Sequence, residues 1–264
     1  MSLVFAAIVP HPPIVLQSIG RDQTRLLERT IASYGKVSAA LASAAPDTIL
    51  LISPHLRVVP DAFTVNHAPV YSTHFLEFGD FSAARTFKTD SLLVERIRRE
   101  ARKNKIKIVT VSEEHLDYGS GVPLKMILPQ DHKTAVVVVA PTMEGPKAQF
   151  AFGQALKEAI MGSNRRVAVL CSGDLSHRLG SDTPLGFSPK GKDFNDLLVE
   201  NLKVGGASAI LQMNQDLVED AHACGYAPIC IFMGIIDRMN YAPELLSNEA
   251  PFGVGYLTMM FHLK

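Results

Sequence analysis

This chain of 264 residues has no excess of positive or negative charge, no tryptophan and few cysteines. Its 26 Lys and Arg residues balance 26 Asp and Glu residues, and it has no tryptophan and three cysteines. A nucleic-acid-binding protein normally carries an excess or a stripe of basic residues, so this balance predicts no nucleic-acid partner. A small, odd number of cysteines in a long chain argues against a disulfide framework and favours a reducing compartment, the cytoplasm.

Long apolar runs are missing as well. No stretch reaches the roughly 18 consecutive apolar residues that a membrane-spanning helix needs. No basic segment precedes the first apolar residues, and Pro10, Pro12 and Pro13 interrupt them, so we expect no secretion signal. With 47% hydrophobic and 20% charged residues, the chain can still bury a large core. These features together predict a soluble cytoplasmic enzyme without a membrane partner.

Short apolar segments rich in valine and isoleucine alternate with segments of helical periodicity. Runs without a polar face are typical of strands covered on both sides, and this alternation predicts an α/β fold. We expect a single layered domain, in which helices flank a central, mostly parallel sheet. Residues 61–81 are rich in loop formers and hold at most an irregular β element. The predicted strands are residues 3–9, 48–53, 106–111, 134–140, 167–172 and 254–261, and the predicted helices are residues 21–44, 91–103, 147–161, 193–203 and 226–239.

Three of the nine histidines directly follow predicted strands. His11 comes after the first strand, His55 after the second, and His177 after the strand at residues 167–172. Ligands of open α/β sheets bind in the crevice beyond the carboxyl ends of the strands. Imidazoles that meet there suit a divalent transition metal such as iron, zinc or manganese. The positions therefore predict a metal site at this edge of the sheet.

The segment before the last predicted helix offers candidates for a third metal ligand. Its sequence V-E-D-A-H-A-C-G-Y contains Glu219, His222 and Cys224. Two histidines with Glu219 would form the facial triad of non-haem Fe(II) oxygenases, whereas two histidines with Cys224 would favour zinc or a redox role. We expect only one of these two residues to bind, and the sequence leaves the choice open.

Further polar residues lie close to the strand ends. His115 follows the strand predicted at residues 106–111 and, with Asp117 and Tyr118 nearby, is a candidate general acid–base or substrate contact. Asp174 either orients His177 or holds the turn S-G-D-L-S, and we favour the turn. The glycines of P-F-G-V-G-Y-L precede a strand rather than a helix, so no dinucleotide site is predicted.

Five motifs occur along the chain in the order F-A-A-I-V-P-H-P-P-I-V, P-D-T-I-L-L-I-S-P-H, L-D-Y-G-S-G-V-P-L, S-G-D-L-S-H-R-L and A-P-F-G-V-G-Y-L. Together they resemble the class III extradiol dioxygenases, the superfamily with a LigB-like catalytic subunit. Within it, the chain is most similar to the dioxygenase-like proteins associated with AMMECR1 and Memo proteins. The resemblance runs from the first predicted strand to the last and implies a single LigB-like domain over residues 1–264.

The resemblance implies an oxidoreductase of aromatic-compound catabolism that binds one Fe(II) ion through two histidines and one acidic residue. Such enzymes bind a small catechol-type aromatic and O₂ and perform extradiol ring cleavage, which incorporates both oxygen atoms. Carried over by position, His11 and His55 are the metal ligands, and His177 is the acid–base for the substrate hydroxyl proton. Relatives are often dimeric, so the resemblance also allows a homodimer.

Two positions depart from the family pattern. Relatives read L-D-H-G where this chain has Tyr118, and a phenol with a pKa of about 10 is a poor proton shuttle at neutral pH. His115 then becomes the second catalytic histidine, with Tyr118 as a substrate contact. Relatives often have Glu-Cys-Gly where this chain has Ala223, which leaves Glu219 or Cys224 to complete the metal site. The alternatives are a Memo-like metal-binding or redox regulatory protein without dioxygenase activity, and a zinc hydrolase.

Overall fold

The computed structural model describes residues 2–264, and within them the chain forms ten strands and nine α-helices. Three short 3-10 helices lie at Pro13–Val15, Arg21–Leu27 and Leu76–Phe78. The strands are β1 Leu3–Val9, β2 Thr48–Ile52, β3 Phe63–Asn66, β4 Val70–Phe75, β5 Asp80–Lys88, β6 Ile108–Val111, β7 Ala135–Ala140, β8 Val167–Ser172, β9 Tyr241–Glu249 and β10 Tyr256–Leu263. The α-helices are α1 Gln17–Gly20, α2 Glu28–Ala44, α3 Ser91–Lys103, α4 Tyr118–Ile127, α5 Pro146–Met161, α6 Pro189–Lys203, α7 Ala207–Leu211, α8 Gln215–Ala221 and α9 Tyr226–Ile235.

Eight of the described strands form one sheet in the order β6-β3-β7-β2-β8-β1-β10-β9, and β4 and β5 form a separate hairpin. The central strands β7, β2, β8 and β1 are parallel, whereas β10 pairs with β1 in the antiparallel sense. The predicted class is confirmed: the molecule is a single α/β domain with a mostly parallel sheet flanked by helices.

Both faces of the sheet are covered, because successive side chains of a strand point to opposite sides. In β2, Leu50 and Ile52 pack in one core with residues of α3, α5, α6 and α9. Ile49 and Leu51 pack in a second core with α2, α4 and the β4–β5 hairpin. All four side chains are fully buried, which explains why the strand has no polar face.

Aspartate side chains cap the N-termini of two of the helices that flank the sheet. Asp90 accepts a hydrogen bond from the backbone N–H of Leu93 at the start of α3, and Asp117 accepts one from Ser120 at the start of α4. Each satisfies a backbone donor that the helix itself leaves free. Asp117 thereby places the first turn of α4 at the carboxyl edge of the sheet.

The sequence pattern does not predict α4 or β9. Two glycines and Pro123 lower the helix propensity of α4, which forms because its apolar side chains are buried. Strand β9 contains Pro243 and charged residues, which are typical of an edge strand. Residues 61–81 contain β3, β4 and the start of β5. Among residues 2–264, no helix combines the length and the apolar character that a membrane crossing requires.

Candidate metal centre

The three histidines of the predicted site lie at one edge of the sheet because their strands are parallel neighbours. β2, β8 and β1 are adjacent in that order and run in the same direction. Their carboxyl ends therefore meet, and His55, His177 and His11 follow them within a few residues. His11 is buried, with 1% of its surface exposed, whereas His55 and His177 are partly exposed.

Three atoms that can bind a metal converge at this edge. Nε2 of His11 lies 3.1 Å from Nε2 of His55 and 3.5 Å from Sγ of Cys224. Ligating atoms of these three residues all lie within 4.8 Å of one another. We call His11, His55 and Cys224 the His–His–Cys triad.

The spacing within the triad fits a first-row divalent metal. Tetrahedral bonds of about 2.0–2.1 Å to nitrogen and about 2.3 Å to sulfur place two nitrogens about 3.3 Å apart, and nitrogen and sulfur about 3.6 Å apart. The distances of 3.1 Å and 3.5 Å in the triad are close to both values. Imidazole suits iron, zinc and copper, and a thiolate favours the softer members of this series. The triad could therefore hold such an ion without a change of fold.

Ser172, the last residue of β8, and Asp174, two residues later, hold His11 in place. Its Nδ1 lies 2.8 Å from Oγ of Ser172, and its backbone N–H donates to Oδ1 of Asp174 at 2.9 Å. Oδ2 of the same carboxylate lies 3.8 Å from Nε2. Burial lowers the pKa of His11 to about 3, although the charge of Asp117 opposes this. The imidazole is therefore neutral at pH 7, which is the form that binds a metal.

Close backbone packing brings Cys224 to the site. Its Sγ accepts the backbone N–H of Asp174 at 3.3 Å. The two segments can approach because neither Gly173 nor Gly225 has a side chain: a Cβ on Gly173 would lie 2.3 Å from Cα of Gly225. Burial raises the pKa of the Cys224 thiol well above its ordinary value. A bound cation would act in the opposite direction and favour the thiolate.

A second group of potential ligands shares this thiol. Atoms of Asp174, His177 and Cys224 also lie within 4.8 Å of one another. Burial raises the pKa of Asp174 to about 6, although the backbone N–H of His11 and the His177 ring favour its charged form. Nε2 of His177 is buried and has no hydrogen-bond partner among the described residues. Because this nitrogen lies beside Asp174 and Cys224, it leaves a position at the site where a ligand or substrate group could bind.

Tyr118, the first residue of α4, lies against one of the triad imidazoles. Its Oη is 3.1 Å from Nε2 of His55, and the two ring centroids are 4.6 Å apart. Phe78 packs edge-on against the tyrosine ring, with centroids 5.6 Å apart. Burial raises the pKa of Tyr118 to about 12. The hydroxyl therefore keeps its proton at neutral pH.

Two of the predicted site residues lie elsewhere. Glu219 is exposed on α8, where its carboxylate accepts a hydrogen bond from Gln215, one turn earlier, at 3.1 Å. Of the two alternatives for the third ligand, Glu219 therefore lies away from the two histidines, on an exposed face of α8, and Cys224 lies beside them. His115 is also exposed and stacks on His74 with ring centroids 3.8 Å apart. A β-bridge to Ser72 holds it against the β4–β5 hairpin, outside the triad.

The contacts through which three polar residues support the site were not predicted from the sequence. Ser172 contacts His11, Asp174 contacts both His11 and Cys224, and Oδ1 of Asp117 accepts the Ser53 hydroxyl at 2.8 Å. For Asp174 the sequence predicts that it orients His177 or holds a turn, and neither alternative includes its contacts with His11 and Cys224. The sequence does contain a pattern that indicates these residues. Ser172 ends a strand, and both aspartates follow strands within a few residues.

Residues 5–259 match the family described as the catalytic LigB subunit of aromatic ring-opening dioxygenase. The chain belongs to the LigB family. The matched range includes the whole His–His–Cys triad and His177, so the LigB match covers the complete candidate site.

Two curated proteins and one solved structure are similar to the chain. A Clostridium acetobutylicum protein whose name states no activity is 29% identical over 268 residues, which cover 98% of this chain and 57% of that protein. The chain thus spans little more than half of that relative's length. The 2-aminophenol 1,6-dioxygenase beta subunit of a Pseudomonas species is 25% identical over 246 residues, or 84% of this chain and 81% of that subunit. An uncharacterised Escherichia coli K12 protein shares the fold, with a TM-score of 0.69 at 17% identity over 97% of this chain and 99% of that one.

Proposed function

We propose that this LigB-family chain is a metal-dependent extradiol dioxygenase that opens a small catechol-type aromatic ring with O₂. The observation that carries the proposal is the convergence of His11 and His55 beside His177, in a family described by aromatic ring opening. The similarity to a subunit named for 2-aminophenol supports a substrate ring with two adjacent polar substituents. Fe(II) is the metal that we propose, and zinc and manganese are its competitors.

In this proposal His11, His55 and Cys224 hold the metal. When bound, Fe(II) supplies the electron transfer between an aromatic diol and O₂ that side chains cannot provide. Burial lowers the pKa of His177, so its neutral ring can accept the proton of a substrate hydroxyl at the unpaired Nε2. Asp174 opposes that pKa shift and favours the resulting imidazolium.

Tyr118 and Phe78 complete the proposed substrate site. The Tyr118 hydroxyl keeps its proton, so it orients a substrate oxygen as a donor rather than moving a proton. The edge-on contact between its ring and Phe78 provides an apolar surface beside the metal ligands. A flat aromatic ring fits such a surface.

Oxygen uptake by the iron-loaded protein tests this proposal. Protein purified without oxygen and loaded with Fe(II) is offered a panel of catechols and 2-aminophenol, and O₂ consumption and the yellow ring-opened product are measured. We expect about one iron per chain and one O₂ per product. His11→Ala is the control, which should keep the fold and lose both metal and uptake. An iron-loaded protein that consumes no O₂ with any member of the panel would refute the proposal.

One observation favours a second function, namely the thiol of Cys224 in a triad where oxygenases of this type use a carboxylate. A thiolate ligand suits a Memo-like metal-binding or redox regulatory protein without dioxygenase activity. This alternative expects zinc or copper in the protein as purified and no O₂ uptake with the aromatic panel. Metal analysis of the purified protein, combined with the uptake assay, distinguishes the two functions.

A further inference from the structure

The hydroxyl of Ser172 has a single hydrogen, and its neighbours determine where that hydrogen goes. Ser172 is fully buried, with Oγ 2.5 Å from the carbonyl oxygen of Gly119 and 2.8 Å from Nδ1 of His11. A carbonyl oxygen only accepts hydrogen bonds, so the serine donates to Gly119. The other contact then runs from the Nδ1–H of His11 to the serine oxygen.

We propose that Ser172 is a positioning residue that fixes the tautomer of His11 so that Nε2 is free to bind a metal. This inference rests on the proposed role of His11 as a metal ligand. A neutral imidazole with its hydrogen on Nδ1 carries its lone pair on Nε2. Nε2 of His11 lies 3.1 Å from Nε2 of His55 and 3.5 Å from Sγ of Cys224. A histidine ligand usually donates its other ring N–H to a fixed acceptor, and Ser172 is that acceptor here.

The first turn of α4 holds the acceptor in place. Gly119 receives the Ser172 hydrogen at its carbonyl oxygen, and Tyr118 beside it contacts His55 at 3.1 Å. Asp117, at the start of this turn, accepts the Ser53 hydroxyl at 2.8 Å. The same turn therefore contacts both triad imidazoles, His55 directly and His11 through Ser172.

Asp174 does not duplicate the role of Ser172. Its Oδ1 accepts the backbone N–H of His11, and its Oδ2 lies 3.8 Å from Nε2. Ser172 contacts the other ring nitrogen at 2.8 Å, so the two residues act on different atoms of the imidazole. Among the contacts of the ring in the described residues, the hydrogen bond at Nδ1 is the one to Ser172.

Nuclear magnetic resonance of the native, metal-free protein tests the tautomer directly. Histidine rings labelled with ¹⁵N report which nitrogen carries the hydrogen, and a His11→Asn variant identifies the His11 signals. We expect the Nδ1–H tautomer for His11. A dominant Nε2–H tautomer at neutral pH would overturn the proposal, and this measurement does not require any Ser172 variant to fold.

Zinc affinity, measured by competition with a chromophoric chelator, tests the consequence for metal binding. Ser172→Ala should bind zinc about 10- to 100-fold more weakly, which is the usual effect of losing such an outer contact. Ser172→Thr keeps the hydroxyl and should recover most of this loss. Ser33→Ala is the matched control, because Ser33 is also buried and donates to a backbone carbonyl, that of Arg29, within α2. The zinc affinity of the Ser33→Ala variant should equal that of the native protein.

Two results would contradict the metal-positioning role of Ser172. One is unchanged zinc affinity in a folded Ser172→Ala variant, and the other is an equal loss in Ser33→Ala, which would indicate a general packing defect. Failure of the proposed function has a different signature. In that case Ser172 still controls the tautomer and the zinc affinity, while the iron-loaded native protein consumes no O₂.

Discussion

Replacing Gly119 with alanine should weaken metal binding through direct contact with a ligand. The added Cβ would lie 2.8 Å from Cδ2 of His55 and 2.9 Å from both Oδ1 of Asp117 and Oγ of Ser53. Carbon atoms in normal contact are about 3.5–4.0 Å apart, so Cδ2 of His55 has to move by about 0.7 Å. Movement of the methyl group towards Asp117 and Ser53 is blocked, because these two are hydrogen-bonded to each other at 2.8 Å.

The size of the effect follows from this displacement. A shift of about 0.7 Å exceeds the roughly 0.5 Å within which a functional site must hold its groups. Overpacking by a methyl group costs about 1–3 kcal/mol, and every 1.4 kcal/mol that falls on the metal contact weakens binding about tenfold. If the whole cost falls on the metal contact, Gly119→Ala should bind zinc about 5- to 100-fold more weakly. Any part of the roughly 1–3 kcal/mol that the metal-free protein already bears should appear instead as a lower free energy of unfolding.

Chelator competition and urea unfolding measure these two quantities, and Gly35→Ala is the matched control. Gly35 also lies in a helix, α2, but a Cβ built on it meets no atom within 4 Å. Alanine is favoured over glycine in helices by about 0.8–1 kcal/mol, so this control should be slightly more stable and bind zinc normally. The reasoning is refuted if Gly119→Ala binds zinc as tightly as the parent and unfolds at the same urea concentration.

Three further predictions concern single side chains. Glu219→Gln should keep its bound metal, whereas Cys224→Ser should lose most of it, as metal analysis after dialysis will show. His177→Ala should retain the metal but lower turnover of a catechol by about 10²- to 10⁴-fold, measured as O₂ uptake. Asp80→Asn should lower the free energy of unfolding at neutral pH by about 1.5–3 kcal/mol in urea titrations, because the Asp80 carboxylate accepts a hydrogen bond from Lys125 at 2.7 Å.

The effect of Asp80→Asn should become smaller in acid. Burial alone would raise the pKa of Asp80, but hydrogen bonds from Lys125, Ser82 and Ser18 outweigh it and hold this pKa well below the usual range. Such a carboxylate stabilises the fold above its unfolded pKa of about 3.9, and the contribution is lost as the pH falls towards the folded value. An equal deficit at neutral pH and at about pH 2 contradicts this account.

The predictions for Glu219→Gln and His177→Ala can each be contradicted by one result. Loss of metal from Glu219→Gln would return Glu219 to the candidate site and remove Cys224 as the preferred third ligand. Undiminished turnover in His177→Ala would exclude His177 from proton transfer.

The strand-end histidines could be predicted from the sequence because their placement depends on a general property of parallel sheets. His11 and His55 follow apolar runs, and the carboxyl ends of parallel strands meet at one edge. The choice between Glu219 and Cys224 depends instead on which side of a short helix faces the sheet. Helix α8 has seven residues, too few for a clear apolar face. The close approach of Gly173 to Gly225 places the Cys224 thiol, and not the Glu219 carboxylate, beside the two histidines.

Contacts between distant segments could not be predicted. His115 is placed by the β4–β5 hairpin, through its β-bridge to Ser72 and its stacking on His74. Ser172 reaches Gly119 across 53 residues of chain. Neither segment carries a local pattern that specifies its partner, so only the packed structure shows these contacts.

The central position of β1 has a consequence for biosynthesis. Ala7 in β1 pairs with Leu170 on one side and with Met260 on the other, so β1 is translated long before either partner strand. On the ribosome this apolar strand stays unpaired until its partner strands have been made, and unpaired apolar strands are prone to non-native contacts. His11 and Cys224 are likewise separated by 213 positions, so the proposed metal site is complete only after most of the chain has been made. The metal would then bind to chains that have already folded. Because it binds the native state and not the unfolded chain, it would stabilise the native state.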